Sequence, residues 1–400
     1  MVGLHRGQRR VLRRPRLPRR RRQAGCAGLR CGHPRVRATQ GAGELILPDF
    51  PWDRLAPLAA RVREHPTPAD LSIGSPVDPT PAIARDALAA AANAPGYPAV
   101  AGAPETNAAF RAWLSRRAGV RATDLGAIPS IGSKEIVALL PMLLGLGPGD
   151  RVVVPEIAYP TYVVGALVAG CEVITSDDPA AARGASLIWI NTPANPTGRV
   201  MDAEELRAVI AAAREHGALV ASDECYLEFG WQARPVSALS AEVAGDDVSG
   251  VIALHSLSKR SNMAGYRYGA LAGDPQVVAR LLEIRKHLGL MTPCPVQAAA
   301  RAAWDDDRHV EEQRERYERR RSVLQPALET AGMRIDHSEA GLYLWATRDE
   351  DCWTTAADLA DQGILVAPGD FYGERGSRHV RLALTAPDDV IAGAADRLRA

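Results

Sequence analysis

The sequence predicts an α/β protein: a large domain built on a mostly parallel central sheet flanked by helices, with a smaller α+β domain drawn from both chain ends. Between about residues 128 and 270, short β-branched runs alternate with longer amphipathic stretches, the pattern of strand–helix–strand units. Those runs are almost continuously apolar, as strands buried on both faces are. The flanks differ: residues 45–85 are Pro-rich and irregular, 296–335 is long, charged and helical in period, and 341–400 alternates short strands with helices.

Taken in order, residues 1–44 form an Arg-rich extension. Thirteen arginines and no Asp or Glu fall in residues 1–38, without helical or strand period, so this stretch has too little apolar surface to fold. It reads as a disordered tail, a start codon set too far upstream, or a nucleic-acid-binding arm. Arg9-Arg10 is not followed by an apolar stretch before Ala24-Gly25-Cys26, so an export signal is not expected and the cytoplasm is. Residues 45–85 are assigned to the smaller domain, 86–295 to the large one, and 296–400 to a connector helix and the rest of the smaller domain.

Within 86–295 the expected strands are Arg151–Val154, Glu172–Ile174, Leu187–Asn191, Ala218–Ser222 and Val251–His255. Asp202 with Glu205 three residues on is a capping-box start; Leu206, Val209, Ile210 and Ala213 share one helix face, and Gly217 is the stop. Gly145-Leu-Gly147-Pro-Gly149 reads as a turn before a strand. The apolar helix after Gly132-Ser133-Lys134 is expected to kink or end at Pro141.

Composition narrows the function. No apolar run approaches the roughly 18 residues a membrane-spanning helix needs. The 48 basic and 47 acidic residues nearly cancel, and with the N-terminal arginines set aside the body is acidic, a poor match to nucleic acid. Cys26 and Cys31 lie in the extension; Cys171, Cys225, Cys294 and Cys352 are scattered singly, and the nine His show no ligand spacing, so neither a disulfide framework nor a metal is expected.

Chemistry concentrates at strand ends, where open α/β sheets bind ligands. Asn195 lies in Asn191-Thr-Pro-Ala-Asn195-Pro-Thr-Gly198; Asp223, Glu224 and Tyr226 follow the next strand; Ser256-Leu-Ser258-Lys259 follows another. Only three lysines, Lys134, Lys259 and Lys286, stand among 45 arginines, so Lys259 suggests work that a guanidinium cannot do: losing a proton and attacking a carbonyl. Alone it reads rather as a surface lysine after a strand. Ser256, Ser258 and Arg267 beside it supply two hydroxyls and a fork for a phosphate, and the helix start at Ser133 and Lys134 adds N–H donors and a positive dipole end. Asp223 at a buried strand end suits a protonated pyridine nitrogen, and Asn195 and Tyr226 suit a phenolic oxygen.

In that order Asn195-Pro-Thr-Gly198, Ser222-Asp223-Glu224-Cys225-Tyr226 and Ser256-Leu-Ser258-Lys259-Arg-Ser-Asn-Met-Ala-Gly265-Tyr-Arg267 resemble the class I/II aminotransferases of fold type I, over roughly residues 45–400. The resemblance implies pyridoxal 5′-phosphate, held covalently by Lys259, which also carries the proton. Asp223 would pair with the ring nitrogen, and Asn195 and Tyr226 with the phenolic oxygen. The phosphate would meet Ser133, Lys134, Ser256, Ser258 and Arg267. Tyr159, in Ala158-Tyr-Pro160-Thr-Tyr162, is similar to the aromatic that stacks on the ring, and Tyr97 to a tyrosine that reaches the partner subunit's phosphate, implying a homodimer. Arg381 resembles the clamp on the substrate α-carboxylate, with Gly74 offering backbone to the same group. The implied reaction moves an amino group between an amino acid and a 2-oxo acid in two ping-pong halves. The wording around Lys259, with Arg285-Lys-His-Leu-Gly-Leu-Met-Thr-Pro-Cys-Pro295, looks closest to N-succinyldiaminopimelate aminotransferases of lysine biosynthesis, with 2-oxoglutarate and glutamate as partners. Rival expectations are another amino acid such as aspartate, a carbon–sulfur β-lyase, or a cofactor-sensing regulator, which a missing helix-turn-helix disfavours.

Overall fold

The computed structural model describes residues 47–400; the Arg-rich extension of residues 1–44, with Cys26 and Cys31, lies outside them. Seven strands form the main sheet: β1 (Gly126–Ser130), β2 (Arg151–Val154), β3 (Glu172–Thr175), β4 (Leu187–Asn191), β5 (Leu219–Asp223), β6 (Val251–Ser256) and β7 (Gly269–Gly273), in the order β1-β7-β6-β5-β4-β2-β3. All neighbours are parallel except β7, which runs antiparallel to both β1 and β6. Alternate residues enter two different cores: Val220, Val251 and Ala253 one, Trp189, Ala221, Ile252 and Leu254 the other. Burial on both faces is why the runs read as continuously apolar.

β2 and β4 stand where expected. β5 is shifted one residue, so Asp223 closes the strand instead of opening the loop, held in register between Asn191 and Leu254. β1 and β7 escaped sequence reading because GAIPS and GALAG contain small residues and a proline in place of a β-branched run. The helix Ala203–His216 has the full capping box at Asp202 and Glu205 and ends on Gly217 in the left-handed region. The helix Ser133–Leu143 corrects the expectation at Pro141, because it runs through that residue to its end. The proline removes one donor in the last turn, and Gly165 of the helix Thr161–Val168 backs onto the freed Val137 carbonyl, where a Cβ would lie 2.8 Å away.

Residues 47–85 hold more regular structure than expected, with helical turns over Pro51–Leu55 and Ala56–Arg63 and a strand pair Ala69–Asp70 with Ile364–Leu365. The expected long helix is two, Cys294–Asp305 and Arg308–Thr330. A second, antiparallel sheet orders Ala367–Pro368, Val380–Ala383, Tyr343–Thr347 and Arg334–Ile335 around its own apolar core. The N-terminal segment runs onto it: Ala383 N–H donates to the Leu71 carbonyl at 2.7 Å, so Ser72 to Gly74 lie beside Arg381. No described helix is long and apolar enough to cross a membrane.

Candidate active site

β4, β5 and β6 end side by side, so their last residues bring Asn191, Asp223 and Ser256 to one edge. Asn191 Nδ2 donates to the Asp223 carbonyl at 2.8 Å and its Oδ1 accepts from Asn195 N–H at 2.7 Å, which fixes the following loop. Ser256 caps the short turn Leu257–Arg260, its Oγ accepting from Ser258 N–H at 3.1 Å, and that turn carries Lys259 inward.

Lys259 Nζ donates to the Gly74 carbonyl. Burial lowers its pKa, favouring the neutral amine that acts as a nucleophile. Asp223 is 7% exposed, and burial raises its pKa against hydrogen bonds from Cys225 and Tyr162 that oppose the rise. Tyr162 Oη donates to its Oδ2 at 2.8 Å and Cys225 N–H to its Oδ1 at 3.2 Å. A buried carboxylate without a cation beside it is costly, so this one is built to meet a charged donor.

The anion cradle lies alongside. Gly132, at φ +72°, caps the helix that begins at Ser133, and a Cβ on it would lie 2.5 Å from Arg267 Nη2. Gly269 brings β7 so close that a Cβ would sit 2.7 Å from Ser133 N. Glu135 Oε2 accepts from Ile131 N–H at 2.8 Å, and Glu135 is itself clamped by the fully buried Arg285, which also donates to the Pro129 carbonyl at 3.2 Å. The Arg267 guanidinium and the Ser133 N–H thus come together at Gly132 and Gly269, with Ser256 opposite Gly269 in the ladder, an arrangement suited to an anion.

On the opposite side Arg381 is 2% exposed; Nη1 donates to Asn195 Oδ1 at 2.8 Å and Nη2 to the Ser72 carbonyl at 2.6 Å, while Nε has no partner among the described residues. A planar fork with N–H groups uncommitted is suited to a carboxylate. Tyr226 Oη lies 2.9 Å from Tyr343 Oη.

The structure therefore links Lys259, Gly74, Tyr226, Asn195 and Arg381 on one side and Asp223, Ser133, Ser256, Ser258 and Arg267 on the other. Cys225 bridges the second set, its Sγ donating to Ser133 Oγ at 3.2 Å. Tyr159 packs edge-on to Tyr162 at 6.0 Å, and the Lys134 ammonium lies 5.8 Å from the Tyr159 ring centre. Tyr97 stands apart, 98% exposed. Sequence reasoning assigned no role to Tyr162, Tyr343, Glu135 or Arg285. Tyr162 and Arg285 lay inside quoted motifs, whereas Tyr343 sits in an apolar strand that carries no signal. The amine, the buried carboxylate and the cradle that a Cβ would fill fit pyridoxal phosphate: Lys259 for its aldehyde, Asp223 for its ring nitrogen, and Ser133, Ser256, Ser258 and Arg267 for its phosphate.

The family model for aminotransferase class I and II matches residues 67–398. The chain is 52% identical over 355 residues to a 4-dedimethylamino-4-oxo-anhydrotetracycline transaminase of Streptomyces rimosus, covering 88% of this chain and 99% of that one. It is 50% identical over 426 residues to a probable aminotransferase of Mycobacterium tuberculosis, covering all of both. Among solved structures it is similar to a probable N-succinyldiaminopimelate aminotransferase from Thermus thermophilus, with a TM-score of 0.78, 28% identity, and coverage of 88% of this chain and 99% of that one. The chain belongs to the class I and II aminotransferases, enzymes that depend on pyridoxal phosphate and act on amino and 2-oxo acids.

Proposed function

We propose that the chain transfers the amino group of N-succinyl-LL-2,6-diaminopimelate to 2-oxoglutarate, or runs that exchange from glutamate, in lysine biosynthesis. The observation that carries amino transfer is Lys259, its amine on the Gly74 carbonyl near the buried Arg381 guanidinium, with the buried carboxylate of Asp223 closing the strand beside the one that leads to it. The wording of residues 256–267 and 285–295, and the name of the Thermus thermophilus neighbour, support the substrate.

When bound, pyridoxal phosphate supplies a carbonyl for the amino group and a ring that draws electrons from the carbon losing its proton. The chain's residues do the rest. Arg381 grips the α-carboxylate, with the Gly74 backbone beside it, and so orients the Cα–H bond. Lys259, freed as a neutral amine, takes the proton at Cα and returns it across the site. Asp223 would hold the ring nitrogen, and would stay charged because a cation there offsets its burial. Asn195 and Tyr226 would hold the cofactor's phenolic oxygen, and Tyr159 would meet its ring. Tyr97, exposed in the single chain, is available to a partner subunit's phosphate in a homodimer.

The 52% identity to a transaminase named for a tetracycline ketone favours a second reading, a bulky cyclic keto substrate. A panel of amino donors and carbonyl acceptors, followed by the absorbance of the cofactor in single half-reactions, separates the two. N-succinyl-diaminopimelate is expected to react fastest. A fastest reaction with aspartate or with a cyclic ketone overturns the substrate, and pyruvate with ammonia formed without an acceptor means β-elimination.

A further inference from the structure

Tyr343 has no place in the scheme above, yet its hydroxyl and ring touch both halves of the carboxylate side. It opens the strand Tyr343–Thr347, opposite Ala383, while Arg381 pairs with Trp345. Tyr343 and Arg381 are therefore diagonal neighbours on one sheet face, within reach of a long side chain. The Arg381 guanidinium carbon lies 4.1 Å from the Tyr343 ring centre, an intimate cation–π contact between groups that are each nearly inaccessible to solvent. At the other end, Tyr343 Oη is 2.9 Å from Tyr226 Oη, and Gly74 lies so close that a Cβ there would be 2.1 Å from the same oxygen.

We propose that Tyr343 is a positioning residue with two separable tasks: its ring sets the plane of the Arg381 fork, and its hydroxyl donates to Tyr226. The proposal rests on the reading of Arg381 as the carboxylate clamp. The ring's task follows from the fork's bonding. Asn195 and Ser72 hold two of its N–H groups from the edges, and neither bond resists rotation of the plane out of line with a carboxylate. A ring at 4.1 Å does. The hydroxyl's task follows from donor order. If Tyr226 is to donate to the cofactor's phenolic oxygen, its own oxygen is left to accept, and Tyr343 is the hydroxyl within reach. Accepting that bond polarises Tyr226 and makes it the stronger donor. The charged and titratable groups facing this pair are Lys259 and Arg381 as cations, with Arg267 facing Lys259, and Cys225, Tyr372 and Tyr317 as acids.

Tyr343→Phe keeps the ring and removes the hydroxyl; Tyr343→Met fills the space with neither. Glutarate, an unreactive dicarboxylate, is titrated calorimetrically into cofactor-free protein, and the pH midpoint of the cofactor's absorbance is measured in loaded protein. Phe is expected to bind glutarate within twofold of the parent but to raise the midpoint by half a unit or more, because a weaker Tyr226 donor leaves more negative charge beside the Lys259 nitrogen. Met is expected to raise the midpoint equally and to weaken glutarate roughly five- to thirtyfold. A Phe protein with an unmoved midpoint overturns the hydroxyl's task, whatever the Met protein does. Glutarate bound equally by Met and parent overturns the ring's, as does a Phe protein that has lost it. Arg381→Leu is the control: if it binds glutarate as the parent does, the reading of Arg381 fails, and if it alone loses binding, that reading stands and the ring's task falls.

Discussion

Gly74→Ala adds a single methyl group at the most crowded point of the site. The new Cβ would lie 2.1 Å from Tyr343 Oη and 2.6 and 2.7 Å from its ring carbons. Carbon contacts are comfortable near ~3.5 Å, so the phenol or the segment must move by about 1 Å or more. The phenol has little room to give, being buried under Arg381 and hydrogen-bonded to Tyr226, so the strain is shared with the Gly74 carbonyl that accepts from Lys259. Overpacking of this kind costs about 1–3 kcal/mol. A displacement of about 1 Å among reacting groups lowers rate on the order of a hundredfold. The expected outcome is a kcat/KM reduced roughly a hundredfold with a lowered thermal midpoint, measured with the best amino donor and by calorimetry. Gly96→Ala is the comparison, since nothing lies within 4 Å of a Cβ there and the backbone is not left-handed; it should be neutral or stabilising by about 0.4–1 kcal/mol. A Gly74→Ala enzyme within threefold of the parent rate would refute the crowding and the coupling drawn from it.

Other perturbations test separate parts of the structure. Tyr162→Phe removes the donor to Asp223, a charge-assisted bond of roughly 1.5–3 kcal/mol, and should weaken cofactor affinity some ten- to a hundredfold in fluorescence titration. Burial already raises the Asp223 pKa and the Tyr162 bond opposes it, so the acid limb of the rate profile should also move to higher pH; an unmoved limb and affinity contradict this. Arg285→Leu strands Glu135 and should destabilise by about 3–5 kcal/mol, with Glu135→Leu added to it recovering most of the loss in chemical denaturation. Glu224, which accepts from Ala238 N–H at 2.8 Å, has its carboxyl pushed up by burial to about 7. A raised folded value favours the fold at low pH, and that contribution is lost as pH rises from the ordinary carboxyl value through about 7. Glu224→Gln should therefore be relatively more stable than the parent at pH 8 than at pH 5, by on the order of 3 kcal/mol in the difference; parallel unfolding curves at the two pH values count against it. His255, its neighbour at 3.6 Å, has its pKa lowered by burial to about 3, the opposite sign, since that contribution is lost as pH falls below 6.5, so the difference between variants isolates Glu224.

Much of the sheet was legible because its parallel strands are buried on both faces and read as apolar runs. The capping box at Asp202 announced a helix to the residue. What escaped were strands built from Gly, Ala and Pro, whose pairing is set by neighbours and not by propensity, and the end of β5, since Asp223 is strand only through its ladder with Asn191 and Leu254. The residues proposed to meet the reacting groups stood out as polar residues after apolar runs. Tyr343 did not, because an antiparallel register, not a spacing along the chain, puts its ring over Arg381. Arg285 did not, because its partner Glu135 lies 150 residues away.

The most direct test is borohydride reduction of the cofactor-loaded protein followed by peptide mapping, alongside a Lys259→Ala protein. A reduced pyridoxyl group on the Lys259 nitrogen, absent from the variant together with nearly all turnover, is the expected result. Label on Lys134 or Lys286 instead, or a variant turning over as fast as the parent, would contradict the assignment of this site.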